Sequence, residues 1–374
     1  HMLCVLYLVR CVNPPLVILF AKPKEKIMQK TAESVSLGHP DKIADYISCY
    51  ILDRMIAQDV HVKYATEVMI KDNTVVLGGE ITGNVDFERI PEYVNAALAE
   101  IGYDERYSAI WGDFAICPQK LKIVNLLGVQ SADINRGVVA DGWGDQGVFV
   151  GYACRGEQKI NRELFLAKKL NRALYDMARK SDNFGLDIKT QITLNDDSIE
   201  TAIVAIPMLH DADLTDFIVD TLGQTPNNII VNGTGRYTYH SSVADCGITG
   251  RKLACDFYST ACPIGGGSPW TKDPTKADVT LNVYARILAC ANLADNDECF
   301  VYMSSCIGRS ELPSGLIKTI KNNVVSYQNL WTKQNPSTLI AALGLDKPIY
   351  THLCDIGISG IIPRTSVLCP RCHV

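Results

Sequence analysis

A chain of 374 residues is too long for one ordinary core, and at roughly 100–200 residues per domain it predicts two or three. Hydrophobic residues at 47% and charged residues at 21% exclude a disordered or fibrous protein, and a net charge of −5 argues against broad sequestration of nucleic acid while leaving room for a local cationic pocket. Fourteen cysteines, scattered from Cys4 to Cys372, lack the spacing of a disulfide scaffold and read as reduced thiols of a cytoplasmic protein.

Residues 1–27 open the chain with an apolar run, Leu3 to Phe20, broken by Arg10 and Asn13-Pro14-Pro15. A spanning helix wants about 20 mainly apolar residues, so no membrane association is expected. We take 1–27 as an atypical extension ahead of a natural start at Met28, the alternative being a signal or membrane segment. Ile43, Ile47, Ile51 and Met55 recur every four residues and predict an amphipathic helix over 43–56. Alternation over 60–70 predicts a strand with Val60, Val62, Tyr64, Thr66, Val68 and Ile70 on one face and Glu67 on the other. Asp72-Asn73 turns it into a second strand, 74–82, which carries Glu80. Residues 129–147 are rich in Gly, Asp and Asn and read as a long loop of the kind that forms lids or binding loops. A further hairpin is expected from 186–194 and 198–208, with Asp187, Lys189 and Gln191 sharing a face. Residues 248–258 read as a strand, and the glycine run of 264–278 leads into a helix near 274–290. The fold class is α+β.

Chemistry concentrates where these elements begin. In His39-Pro40-Asp41-Lys42, Pro40 suits the first helical position and Asp41 the first turn, and the free N–H groups there attract anions. His39 and Lys42 add donors, and Asp41 could hold a divalent cation bridging to phosphate. Lys272 and Lys276 flank Asp273-Pro274 after three glycines, which permit close backbone approach to a polyphosphate. Arg251-Lys252 and Asp187/Lys189 add charge of both signs. Any one of these pairs alone reads as a solvated face, and the His39 stretch alone could be no more than a capped helix; four sets together point to a phosphate site. Gly142-x-Gly144-x-x-Gly147 fits the dinucleotide fingerprint but precedes a strand-like run, Val148 to Ala153, where that fingerprint needs a helix. Neither a G-x-S-x-G elbow nor H-E-x-x-H is present. Cys369, Cys372 and His373 match C-x-x-C-H, a lone pair that we read as an incidental tail.

The blocks 33–45, 76–82, 130–138, 144–153, 187–193, 232–237, 245–252 and 265–278 resemble, in order, those of the methionine adenosyltransferase (S-adenosylmethionine synthetase) family. The resemblance implies three similar sheet-and-helix domains in a pseudo-threefold arrangement: 28–129, 141–237 and 238–374, with 130–140 as a mobile active-site loop. It implies a homodimer or dimer of dimers with shared sites, acting on ATP and L-methionine with two Mg²⁺ per site and K⁺. By the same resemblance His39, Lys189, Arg251 and Lys272 are catalytic, and Asp187, Arg236, Tyr237, Asp245, Lys252 and Ser268 join them at ATP. Glu80, Gln130, Asp245 and Lys276 would read methionine, Asp41 and Asp278 would hold Mg²⁺, and Glu67 would hold K⁺. A non-catalytic relative that keeps the fold is the alternative. Departures are Leu37 where an acidic residue is usual, Ala132 for a loop proline, 237–245 without its glycine pair and proline, and Ser259-Thr260 for two glycines. The usual glycine-histidine-phenylalanine-glycine segment is absent, and 354–360 occupies its neighbourhood.

Overall fold

The structure, a computed structural model, describes residues 29–128, 141–330 and 335–363. In chain order β1 (Gln29–Val35) leads to α1 (Pro40–Ile56), β2 (Lys63–Lys71), β3 (Thr74–Thr82), α2 (Ile90–Ile101), α3 (Glu105–Trp111) and β4 (Lys122–Gly128). Next come β5 (Gly147–Cys154), α4 (Arg162–Ala178), β6 (Lys189–Asn195), β7 (Ser198–Ala205), α5 (Thr215–Leu222) and β8 (Asn228–Val231). Then follow α6 (Ser241–Ala244), β9 (Gly247–Ile248), α7 (Leu253–Asp256), α8 (Ala277–Asn292), β10 (Glu298–Ser305), β11 (Ser314–Lys321), β12 (Val324–Asn329), α9 (Pro336–Leu343) and α10 (Tyr350–Ile356).

The strands form three four-stranded sheets, ordered β4-β3-β2-β9, β1-β6-β7-β8 and β12-β11-β10-β5. The fold is α+β, as expected, and the three units share a plan. In each, a long helix precedes an antiparallel hairpin and packs on it: α1 on β2, α4 on β6 and α8 on β10. In the first two units a helix then crosses over to a parallel edge strand, β4 beside β3 and β8 beside β7. The third replaces that crossover with a tight turn into antiparallel β12. The strand before each long helix leaves its own unit: β1 pairs with β6, β5 with β10, and β9 with β2. One edge strand is thus passed cyclically from unit to unit, so the sheets interleave the stretches 28–129, 141–237 and 238–374. The functional consequence is that the turn after each exchanged strand lies at a boundary between two units.

Helix α1 was expected to be amphipathic, but of residues 40–56 every one except Arg54 is buried. It packs against β2, β9, α2 and α10, and its polar side chains survive burial because they are bonded. Ser48 donates to the Thr66 carbonyl at 2.9 Å, and Asp53 accepts from the backbone N–H groups of Tyr350 and Thr351 at 2.8 and 2.9 Å. Two further expectations are corrected. Strand β2 begins at Lys63, leaving Val60 49% exposed, because 57–62 form the turns that end α1. Residues 248–258 are not a strand: pairing stops at Ile248, and the Lys252 carbonyl then accepts from the N–H groups of Cys255 and Asp256 in a helical turn. Among the described residues no helix is long and apolar enough to cross a membrane, and the cysteines are free thiols. Residues 1–28, Gln130, Ala132, the loop 130–140 and the Cys369/Cys372/His373 tail lie outside the described residues.

Candidate active site

The stretch that carries His39 is clasped to the start of β6. Val35 pairs with Lys189, and Ser36 exchanges bonds with Ile188 through its backbone N–H (3.0 Å) and its hydroxyl (2.9 Å). A Cβ on Gly38 would lie 2.2 Å from the Leu186 carbonyl oxygen, so only glycine permits this approach. His39 therefore stands beside Asp187 and Lys189, some 150 residues away in sequence.

His39 is the N-cap of α1, 1% exposed, and its Nδ1 accepts from the Asp41 N–H at 3.1 Å. Burial, reinforced by Lys252 and Lys189 and offset by Asp41, pushes its pKa down to about 3. A neutral ring whose Nδ1 accepts carries its proton on Nε2, which makes it a donor. Asp41 accepts from Lys252 Nζ at 2.5 Å and from the Ile248 N–H at 2.9 Å, and Arg251 Nε lies 3.9 Å away. Burial favours the protonated acid, but Lys252 and Ile248 outweigh it and hold the Asp41 pKa below the usual range. Gly247 makes this possible, for a Cβ there would lie 2.1 Å from the Pro40 carbonyl oxygen.

Asp187 accepts from the Ser241 N–H at 3.0 Å through Oδ2, while its buried Oδ1 has no partner among the described residues. Burial raises its pKa to about 6, with Ser241 and Lys189 offsetting and Asp245 adding to the rise. Tyr237, half-buried, senses the same carboxylate, since burial and then Asp187 raise its phenol pKa. Lys189 forms no ion pair among the described residues.

Strand β2 gathers the remaining groups along one edge. Ile248 lies opposite Met69, and Lys272 bridges to Ala65, itself paired with Glu80. At about 3.3 Å per residue the four steps from Ala65 to Met69 span about 13 Å, the scale of a triphosphate with its sugar. Between them exposed Glu67 accepts from the Thr249 hydroxyl. Lys272 is ion-paired with Asp278 in the first turn of α8. The glycine run presses on both halves: a Cβ on Gly267 would meet Asp278 Oδ1 at 1.9 Å, and one on Gly250 would meet Ser268 Cβ at 3.2 Å. Lys276 caps α8, which begins at Ala277 and not near 274, because Asp273 holds Thr275 N–H (2.9 Å) in a turn and binds Tyr64 N–H (2.9 Å).

Three of the expected residues are engaged by other groups of the protein. Arg236 bonds to the Leu209 carbonyl at 2.6 Å and pairs with Asp211. Asp245 is exposed and accepts from the Cys246 N–H at 2.8 Å. Lys42, expected as an anion donor, is 3% exposed and turned inward, 3.0 and 2.9 Å from the two oxygens of Asp256 and 3.4 Å from Asp45. Sequence reading missed Asp45, whose Oδ1 accepts from the Gly250 N–H at 2.8 Å and so fixes the turn before Arg251. Its position four residues after Asp41 on α1 was the available signal. It also missed His240, buried against Trp111 and bonded to Tyr107, which steadies the backbone beside Ser241.

The family model for the S-adenosylmethionine synthetase N-terminal domain matches residues 28–132, and that for the C-terminal domain matches 239–364. The chain belongs to the S-adenosylmethionine synthetase family. Among members, S-adenosylmethionine synthase 2 of Rhodospirillum rubrum is 34% identical over 369 residues, covering 89% of this chain and 92% of the relative. The S-adenosylmethionine synthase of Pelagibacter ubique is 30% identical, covering 90% of this chain and 94% of the relative. A solved structure described as an unusual S-adenosylmethionine synthetase from Campylobacter jejuni superposes with a TM-score of 0.78 at 28% identity, over 89% of this chain and 95% of that chain. The three-sheet architecture is therefore that of the S-adenosylmethionine synthetase family.

Proposed function

We propose that this protein is a methionine adenosyltransferase. Methionine sulfur displaces tripolyphosphate from C5′ of ATP, and tripolyphosphate is then hydrolysed by water to phosphate and diphosphate. The observation that supports the reading best is that His39, Asp187, Lys189, Arg251, Lys252 and Lys272, from four distant stretches, converge along β2 and the start of α1. A thioether is already a nucleophile, so the chain's work is alignment and stabilisation of a highly charged leaving group.

In this reading neutral His39 donates from Nε2 to the triphosphate near the leaving oxygen, and Lys189, Lys252 and Lys272 neutralise it. Arg251 serves tripolyphosphate hydrolysis. The partnerless Oδ1 of Asp187 accepts from a ribose hydroxyl, and Tyr237 stacks on adenine. Arg236 and Ser268 contribute at ATP; Glu80, Gln130, Asp245 and Lys276 read the amino and carboxylate ends of methionine. Asp41 and Asp278 would hold the two Mg²⁺. Their hard carboxylate oxygens fit that ion, each now clamped by a lysine that stands where positive charge is wanted. No group of three or more His, Cys, Asp or Glu among the described residues could hold a metal, so each Mg²⁺ would take most ligands from phosphate and water. When bound, Mg²⁺ supplies Lewis-acid neutralisation of the leaving phosphates. Glu67 would hold K⁺. Self-association as a homodimer or dimer of dimers, with sites shared between subunits, and a cytoplasmic setting complete the proposal.

The test is incubation with ATP, methionine and Mg²⁺ followed by mass detection of the sulfonium product. We expect product from the wild type, and turnover lowered about 100-fold or more by His39→Ala or Lys189→Ala with the circular dichroism unchanged. Absence of sulfonium from the folded protein, or near-normal turnover of either variant, refutes the reading.

A further inference from the structure

A cavity of about 750 Å³ opens among α1, α4, α7 and α10, and none of His39, Asp187, Lys189, Arg251, Lys252 and Lys272 lines it. That is the size of a small-molecule site. Phe165, Lys168, Lys169, Arg172 and Asp176 line one wall; their spacing of three and four residues puts them on one face of α4. This face carries three cations against one anion.

The facing carboxylates are already matched. Asp256 is held by Lys42 and by Trp270 Nε1 at 2.8 Å, and Asp355 is paired with Arg172. Lys168 is not. Its Nζ donates to the Ile356 carbonyl at 2.8 Å and to the Ser359 hydroxyl at 2.7 Å, both neutral oxygens. An ammonium has three N–H groups, and among the described residues the third has no partner and no carboxylate forms an ion pair with it. Burial pushes the Lys168 pKa down to about 8, with repulsion from Lys42 adding to the fall and Asp256 offsetting it. At neutral pH Lys168 is therefore mostly charged, in surroundings that disfavour the charge. Leu37, which stands where the family's motif has an acidic residue, lines the same cavity, so the departure leaves the wall one negative charge poorer.

We propose that this cavity is a second small-molecule site, separate from the candidate active site, which binds a phosphate-bearing anion through Lys168 with support from Lys169. The incoming charge compensates the partly buried ammonium and takes its free N–H, while Phe165 and Ile356 offer apolar surface to whatever the phosphate is attached to. The proposal does not depend on the reaction proposed above.

Titration of the full chain with inorganic phosphate by calorimetry tests it. One binding event should persist in Lys272→Met, which removes a cation of the candidate active site. The same event should weaken about tenfold or more in Lys168→Met, the scale of one lost charge-assisted hydrogen bond. Lys169→Ala, at an exposed position with no hydrogen bond or ion pair among the described residues, should weaken it about threefold and decides the matter if Lys168→Met does not fold. Phosphate binding that disappears in Lys272→Met and is unchanged in Lys169→Ala and in folded Lys168→Met overturns the proposal, as does absence of binding up to tens of millimolar phosphate.

Discussion

Gly247→Ala tests how closely the fold draws β9 against the start of α1. The added methyl would lie 2.1 Å from the Pro40 carbonyl oxygen, 2.3 Å from its carbon and 2.7 Å from Ile70 Cγ2. Ordinary carbon contacts are about 3.5 Å, so strand and helix must part by about 1 Å or more. One residue on, Asp41 accepts from the Ile248 N–H at 2.9 Å, and that extra separation takes the pair out of hydrogen-bond range. A lost hydrogen bond to a charged group costs about 1.5–3 kcal/mol, and overpacking costs about 1–3 kcal/mol. One displacement produces both, so we expect a loss of about 2–5 kcal/mol in total. Gly78→Ala is the matched control: nothing lies within 4 Å of the added atom, and its stability should stay within about 0.5 kcal/mol of wild type. Urea unfolding followed by circular dichroism gives both values. A Gly247→Ala protein that unfolds at the same midpoint as Gly78→Ala, with the same slope, refutes the close-approach argument.

Two more predictions concern buried charge. The Asp187 pKa of about 6 lies above the unfolded value of 3.8, so between these the native state holds more protons than the unfolded state, and this group's contribution to stability falls as pH rises. The stability of Asp187→Asn relative to wild type should therefore climb from pH 4 to pH 7; a difference that stays flat over that range contradicts the assignment. Lys42→Met strands Asp256 and Asp45 in the interior and should cost about 3–5 kcal/mol, whereas Lys42→Met with Asp256→Asn should cost less than the sum of the singles. Strict additivity in unfolding free energies would mean that the pair is not coupled.

Much of the local structure was legible in the residues. The strand 74–82 has the bounds its alternation and the Asp72-Asn73 turn predict, and Pro40 and Asp41 open α1 as first-turn chemistry requires. The decoy glycines at 142 and 144 precede a strand, β5, which Gly147 begins. Each of these follows from bonds between near neighbours, which composition and period record directly. Residues 253–257 show the limit: Leu253, Cys255 and Phe257 alternate and are all buried, as in a strand, yet with no sheet edge beyond Ile248 to pair with they close a helical turn.

The order of charged and glycine-rich blocks determined the fold class and singled out candidate residues for phosphate. Only the tertiary structure decided that α1 is buried nearly all round, that Lys42 turns inward to Asp256 and not out to an anion, that each unit lends an edge strand to the next, and that Lys168 lines a cavity with no ion-pair partner among the described residues. A helix turn or hairpin leaves its mark within a few residues, but a partner 214 positions away leaves none, and the direction a side chain takes depends on what the rest of the chain brings beside it.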